Sequence, residues 1–191
     1  MPKDDNMPKE NRYIPNFILN SPVRNVSRFP LNVISGFINE GSTVVDIGSG
    51  PGYYSLKIAS LKNNLKVIAT DPNPSAIKNL NEAISKRGLT QITTLIESGD
   101  SLNSIADSSA DFVFSHLMLC CMSNHKGALD ETLRILKEGS YAFISVNRGS
   151  SERDRRDVTV SEWESIKKRY KVVKEGSTLM SRWIIIQKGT D

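Results

Sequence analysis

The segment Thr43-Val44-Val45-Asp46-Ile47-Gly48-Ser49-Gly50-Pro51-Gly52 decides the fold, and Asp71 answers it nineteen residues after the last glycine. An apolar, β-branched strand runs into a glycine-rich turn, and a helix-like segment over 53–61 leaves it. A second short apolar run over 66–70 then ends at the acid. This succession is how an α/β sheet builds a nucleoside pocket at the carboxyl ends of adjacent strands.

Outward from that segment the chain alternates. Further strands are expected at 92–96, 111–115 and 141–146. Between them Ala76, Ile77, Leu80, Ala83 and Ile84, and later Leu129, Thr132, Leu133 and Leu136, recur at helical spacing. Asn73 as N-cap, Pro74 at the first helical position and Gly88 as stop bound the first of these helices. The second should end at Lys137-Glu138-Gly139, a basic last turn followed by glycine. Such alternation implies a parallel sheet covered on both faces. Ser161-Glu162-Trp163-Glu164 reads as a capping box opening a last helix, with Trp163, Ile166 and Tyr170 on one side. Two strand-like runs follow at 171–174 and 182–187, joined by too short a loop for a crossover helix, so they should pair antiparallel. Upstream, 30–39 carries Leu31, Val33, Ile34, Phe37 and Ile38 on an expected helix ending at Gly41, and Tyr13, Ile14, Phe17, Ile18 and Leu19 form a second apolar patch. Residues 1–10 have little to bury and are expected to be disordered.

A chain of 191 residues with 38% hydrophobic and 24% charged content is that of an ordinary globule with a substantial core. No apolar run approaches the roughly 20 residues of a bilayer span, so no membrane is expected. The polar first dozen residues lack the apolar core of a secretory signal. Cys120 and Cys121 are adjacent, which makes neither a disulfide framework nor a metal spacing; no metal and a cytoplasmic location are expected. The net charge of +4 draws on Arg148, Arg153, Arg155, Arg156, Lys167, Lys168, Arg169, Lys171 and Lys174, but Glu152, Asp154, Asp157, Glu162 and Glu164 are interleaved with them. Mixed signs read as a solvated face rather than a nucleic-acid patch.

The glycines select the nucleoside. A dinucleotide site wants a third glycine for close helix–strand packing, and Tyr53 or, in the shifted frame, Ser55 stands there. Gly-Lys-Ser/Thr of a phosphate loop is absent. The turn offers backbone amides near a helix N-terminus, suited to one carboxylate, and Asp71, before Pro72, can accept from both hydroxyls of a ribose. A ligand with a carboxylate, a ribose and no phosphate is S-adenosylmethionine.

With these residues the chain resembles the class I S-adenosylmethionine-dependent methyltransferases, in their small-molecule branch, from Thr43 to the C-terminus. The family's glycine motif corresponds to 45–52 and its ribose acid to Asp71. Gly99-Asp100, with Ser101 and Leu102, stands where the family often places an acid near the adenine. Ala110-Asp111-Phe112-Val113-Phe114 resembles its fourth strand, and 131–139 its next helix-to-strand run. The resemblance implies a Rossmann-like, doubly wound seven-stranded sheet, five parallel strands closed by an antiparallel C-terminal hairpin. It also implies cofactor contacts from Asp46, Gly48, Ser49, Gly50, Gly52, Asp71, Pro72, Gly99, Asp100, Ser101 and Ser115, with Asp46 orienting the turn. Asn20-Ser21-Pro22-Val23-Arg24 and Pro30 resemble a lead-in of some members, so 1–42 is expected to be a lid and 43–191 the methyltransferase domain.

Methyl transfer from a sulfonium is an in-line displacement that positioning can drive, and a base is needed only when the acceptor must lose a proton. His116, after the fourth strand, is the best-placed candidate, ahead of His125. Cys120 and Cys121 lack the Pro-Cys context of RNA cytosine-C5 enzymes, and Ser115-His116-Leu117-Met118 replaces the Asn/Asp-Pro-Pro-Tyr of amino-methylating nucleic-acid enzymes. Arg148 and Tyr13 are further acceptor-site candidates. The expected activity is methyl transfer to a small molecule; RNA as acceptor, a non-catalytic cofactor-binding regulator and a nicotinamide oxidoreductase are the alternatives.

Overall fold

The computed structural model describes residues 29–149 and 154–190. The expectations at 1–28, including Tyr13, the apolar patch after it and the lead-in at 20–24, lie outside the described residues, as do Glu152 and Arg153.

Seven strands form one sheet in the order β3-β2-β1-β4-β5-β7-β6. In chain order the elements are α1 (Leu31–Ile34), β1 (Thr43–Ile47), α2 (Ser55–Ile58), β2 (Lys66–Thr70), α3 (Pro74–Arg87), β3 (Ile92–Leu95), β4 (Ala110–His116), α4 (His125–Ile135), β5 (Leu136–Asn147), α5 (Val160–Arg169), β6 (Lys171–Ser177) and β7 (Ser181–Gln187). Strands β1 to β5 pair in parallel, and β7 lies antiparallel between β5 and β6. The strand order reverses between β1 and β4, so a crevice opens beyond their carboxyl ends, where α/β sheets hold ligands.

Alternation of side chains along each strand divides the core in two. Val45, Ile47, Val113 and Ile144 face Ala128, Leu129 and Ile135 of α4 and Trp163 and Ile166 of α5. Val44, Phe112, Phe114, Phe143 and Ile185 face Ile34 of α1, Leu56 and Ile58 of α2 and Leu80 of α3. Phe112, Phe114 and Phe143 are fully buried, and truncating any one to alanine would cost about 3–5 kcal/mol.

Helix α3 has the bounds its punctuation implies: the Asn73 side chain accepts from the Ser75 and Ala76 amides, Pro74 is the first helical residue, and Gly88 closes in the left-handed conformation. Four expectations are corrected. The expected helix over 30–39 is a single turn, Leu31–Ile34, and the helix-like segment over 53–61 is regular only over Ser55–Ile58. Lys137-Glu138-Gly139 does not end α4, because Leu136 is already extended. These residues form a bulged start of β5, where Lys137 Nζ donates to Asp111 Oδ1 at 2.6 Å and the Gly139 N–H to the Lys188 carbonyl at 3.1 Å. Helix α5 begins two residues early: Thr159 is the N-cap, accepting the Glu162 N–H at 3.1 Å. The S/T-x-x-E pattern fits Thr159 to Glu162 as well as the expected start, and Glu162 turns its carboxylate to another partner.

Candidate functional site

The glycine turn sits at the end of β1, and its shape depends on glycine twice over. Gly48, Gly50 and Gly52 have φ of +75°, +55° and +85°, where side chains are strained. A Cβ on Gly48 would lie 2.6 Å from Met118 Cγ, and one on Gly52 2.1 Å from Leu80 Cδ1. The Gly48 and Ser49 amides both donate to the Thr70 carbonyl, at 2.8 and 2.9 Å, and the Gly52 amide to the Ser49 carbonyl at 3.1 Å. The Gly50 amide donates to Asp71 Oδ2 at 2.8 Å. All four amides therefore have partners within the chain, and the expected carboxylate cradle is not formed by them. The turn works by shape, clamping the end of β1 to the end of β2.

Asp46 stands beneath this turn. Its Oδ2 accepts from Ser55 Oγ at 2.5 Å, which ties the first turn of α2 to β1. Burial pushes its carboxyl up to about 7; the Ser55 hydroxyl opposes that rise and the nearby Asp71 charge adds to it. Asp71 is also pushed above the usual carboxylate range by burial, against the Asn73 and Gly50 amides that stabilise its charge. Its Oδ1 accepts from Asn73 N–H at 2.9 Å, so each oxygen holds one backbone amide and keeps a second lone pair. Pro72 carries the chain from Asp71 into the cap of α3.

The third acid closes the crevice on the other side. Asp100 Oδ1 accepts from Ser98 Oγ at 2.5 Å, and Oδ2 from Asn124 Nδ2 at 2.9 Å. Asn124 is the N-cap of α4, its Oδ1 taking the Gly127 amide at 3.0 Å, so Asp100 is moored to a helix start. A Cβ on Gly99 would lie 2.9 Å from Ile47 Cγ2 and 3.0 Å from Met118 Cε. Met118 thus lies across both Gly48 and Gly99 and floors the crevice between them. Ser101 pairs back with Ser98, and its hydroxyl accepts from Asn103 at 3.0 Å. Ser115 is buried, and its hydroxyl has no hydrogen-bond partner among the described residues.

His116 ends β4 on the opposite face from Ser115. Its ring is set among Tyr54 at 4.9 Å, Phe114 at 6.1 Å, and Phe29 and Phe143 each at 6.2 Å. Its Nδ1 lies 2.6 Å from Ser145 Oγ. The register places His116, Ser145 and Trp183 in one row across β4, β5 and β7. The Trp183 ring lies over Gly176 of β6, where a Cβ would meet it at 2.5 Å, and it stacks on Phe143 at 5.9 Å. Tyr54 joins this aromatic group directly to the glycine turn.

The other candidates lie elsewhere. His125 is buried, with Nδ1 at 2.7 Å from Glu162 Oε1 and Nε2 at 3.1 Å from the Arg156 carbonyl, so it joins α4 to α5. Cys120 and Cys121 both donate their thiols to the Leu117 carbonyl, at 3.2 and 3.4 Å. Arg148 is exposed, its N–H on the Met180 carbonyl and its guanidinium on the Thr178 carbonyl at 3.4 Å, which places it on the β6–β7 hairpin. Ser145, Asn124, Met118, Tyr54 and Trp183 escaped the sequence reading. A lone hydroxyl inside the apolar run Phe143-Ile144-Ser145-Val146 is the signal that could have found Ser145.

The donor set suits a ribosyl ligand without phosphate: two carboxylates, Asp71 and Asp100, flank the glycine turn with lone pairs to offer hydroxyl or amino groups. The sheet order, with its antiparallel last hairpin, and these strand-end acids define the class I methyltransferase architecture. A family profile described as a methyltransferase domain matches residues 45–144, and the chain belongs to that family. Thiol S-methyltransferase TMT1B of Rattus norvegicus is 30% identical over 112 residues, 58% of this chain and 44% of that protein; the chain thus spans less than half the length of such curated relatives. An S-adenosylmethionine-dependent methyltransferase from Aquifex aeolicus superposes with a TM-score of 0.78 at 22% identity, covering 92% of this chain and 99% of that one. The [4+2]-cyclase SpnF shares the fold at a TM-score of 0.74 and 14% identity, covering 84% of this chain and 80% of its own.

Proposed function

We propose that this chain transfers a methyl group from S-adenosylmethionine to a small, largely apolar acceptor, with the sulfur of a thiol as the favoured target. The observation that carries the reading is the adjacency of two unlike walls: the glycine turn with Asp71 and Asp100, and the aromatic group around His116, joined by Tyr54. When bound, the cofactor supplies an electrophilic methyl on a sulfonium. Asp71 holds the ribose hydroxyls, Asp100 faces the adenine side, and Met118 supports the ligand from below. On the acceptor side the half-buried rings of Phe29 and Tyr54, backed by the buried rings of Phe143 and Trp183, would exclude water and face an apolar group, which suits an uncharged thiol better than a nucleic acid.

The names of the curated relatives support a thiol acceptor. Several bases of the C-terminal third are also paired internally: Lys167 with Glu175 at 2.6 Å, Arg169 with Asp130 at 3.2 Å and Arg156 with Asp154 at 2.8 Å. That pairing speaks against an RNA groove. The segment before β1 serves as a cover for the acceptor wall, a role supported by the contacts of Phe29 with His116 and Trp183. We place the protein in the cytoplasm; among the described residues no helix is long and apolar enough to cross a membrane.

Calorimetry with S-adenosylhomocysteine, followed by its production from S-adenosylmethionine over a series of small alkyl and aryl thiols, tests the reading. Micromolar binding and thiol-dependent turnover are expected. No binding would overturn the cofactor site, and binding without turnover would favour a regulatory protein.

A further inference from the structure

The turn that joins β6 to β7 goes against its local chemistry. Thr178, Leu179, Met180 and Ser181 make it, with the Thr178 N–H on the Ser181 carbonyl at 2.7 Å. The two central places of a hairpin this tight are best served by glycine, asparagine or aspartate, and here they hold leucine and methionine. Both side chains stand in solvent: Leu179 is 90% and Met180 78% exposed, the highest values among the large apolar residues described.

The turn is nonetheless firmly made. The Thr178 hydroxyl accepts the Met180 N–H at 3.2 Å and the Ser181 N–H at 3.0 Å. From the end of β5 the Arg148 N–H donates to the Met180 carbonyl at 2.9 Å, and the Arg148 guanidinium to the Thr178 carbonyl at 3.4 Å. Two apolar side chains are therefore presented to water on a fixed base, without adding to the core. A choice that opposes turn preference and gains no packing points to a role outside the fold.

The neighbourhood of the tip says which role. Strand β7 runs antiparallel to β5, so its first residues stand at the carboxyl edge of the sheet, where the crevice opens. Trp183 pairs with Ser145, and Ser145 with His116, along the aromatic wall. Met180 lies three residues beyond Trp183, a rise of about 10 Å along the strand, and β7 is two strands from β4, about 10 Å across. The tip thus continues the aromatic wall outward, beyond the reach of an ethyl group and within that of a medium-length alkyl chain. Two side chains are also far too small a patch for a stable protein interface, which needs about 800 Å² on each partner.

We propose that Leu179 and Met180 determine acceptor specificity: they form an apolar lip that holds the tail of the acceptor where it leaves the aromatic wall, so the preferred substrates are thiols with an extended alkyl chain. This rests on the functional reading above and narrows it. The aromatic wall places the sulfur end, and the lip takes the tail out of water.

Rates over the series ethanethiol, butanethiol, hexanethiol and octanethiol test the lip. The ratio kcat/KM should rise about fourfold for each methylene that reaches it. The double variant Leu179→Ser, Met180→Ser should lose about tenfold of the preference for octanethiol over ethanethiol, through KM. The pair Leu179→Met, Met180→Leu keeps the tip apolar and should keep the preference. Both positions are exposed, so an unchanged melting temperature checks that the serine variant is folded. A folded serine variant with the same chain-length preference overturns the proposal. So does one that loses only its co-sedimentation with phosphatidylcholine vesicles, since the tip would then be a lipid-surface contact. Calorimetry with octyl methyl sulfide in the presence of S-adenosylhomocysteine needs no turnover: about tenfold weaker binding to the serine variant supports the lip, and equal or absent binding to both proteins overturns it. If no thiol is methylated, the functional reading fails, while the sulfide affinities still decide what the tip does.

Discussion

The two walls of the crevice are built from different materials. In the wall proposed to hold the methyl donor, β1 and β2 end in a clamp of backbone amides on the Thr70 carbonyl and the Asp71 carboxylate, and each partner lies within about one strand–helix–strand unit. In the wall proposed to face the acceptor, Phe29, Tyr54, His116, Phe143, Ser145 and Trp183 come from five separate stretches and meet through ring contacts and strand register. A wall made of backbone geometry tolerates almost no substitution, whereas a wall made of rings can be re-cut one side chain at a time.

The contrast can be broken most forcefully at Gly52. Gly52→Ala must fit a Cβ 2.1 Å from Leu80 Cδ1 at a φ of +85°, so a stability loss of about 2–4 kcal/mol and loss of cofactor binding are expected in denaturant titration and calorimetry. A folded variant with full affinity would refute the idea that this wall is rigid. Asp71→Ala strips the partner from two amides, for about 1–3 kcal/mol of stability and at least a tenfold loss in affinity for S-adenosylhomocysteine.

Asp46 supplies a test by pH. Its folded carboxyl titrates at about 7 against 3.8 in the unfolded chain, so the folded state binds the proton more tightly. Its contribution is fully present below pH 3.8 and is lost progressively as pH rises to about 7, with Asp71 shifted in the same direction. Denaturation midpoints across that window should fall less steeply in Asp46→Asn than in the natural sequence; parallel slopes would show that Asp46 is not the group responsible.

Trp183→Leu addresses the other wall. It removes the stacking on Phe143 and should raise KM for an aryl thiol by roughly three- to tenfold, through about 0.5–1.5 kcal/mol of ring contact, with cofactor affinity unchanged. An equal loss of cofactor affinity would mean that the walls are coupled. The smallest effect on catalysis is expected from His125→Gln, which should lower the melting temperature by a few degrees through its contacts with α5 and leave kcat in place.

The donor wall was legible because its requirements are local. Asn73, Pro74 and Gly88 punctuate α3, and Gly48, Gly50 and Gly52 answer to backbone angles that a short window of sequence can display. What the glycine amides do was not legible, since satisfying them within the chain depends on β2 lying alongside. The acceptor wall gives no such signal. Ser145 becomes a neighbour of His116, twenty-nine positions away, only once β4 and β5 are paired in register, and Trp183 joins them only through β7. The misplaced starts of α5 and β5 share one cause: Thr159 and Ser161 both suit a cap, and Lys137-Glu138-Gly139 suits a helix end as well as a bulge, so tertiary contacts chose between them.

The strand order β5-β7-β6 has a consequence for how the molecule is completed as it is made. Strand β6 is synthesised before β7, yet β7 is its one neighbour in the sheet, so β6 has nothing to pair with until the last strand slides between it and β5. Until that moment the Phe143 ring lacks its Trp183 cover, while the segment carrying Gly48, Asp71 and Asp100 already has every strand it pairs with. The hairpin therefore acts as a keystone: the half carrying the glycine turn can close early, and the aromatic half stays open until β7 has emerged.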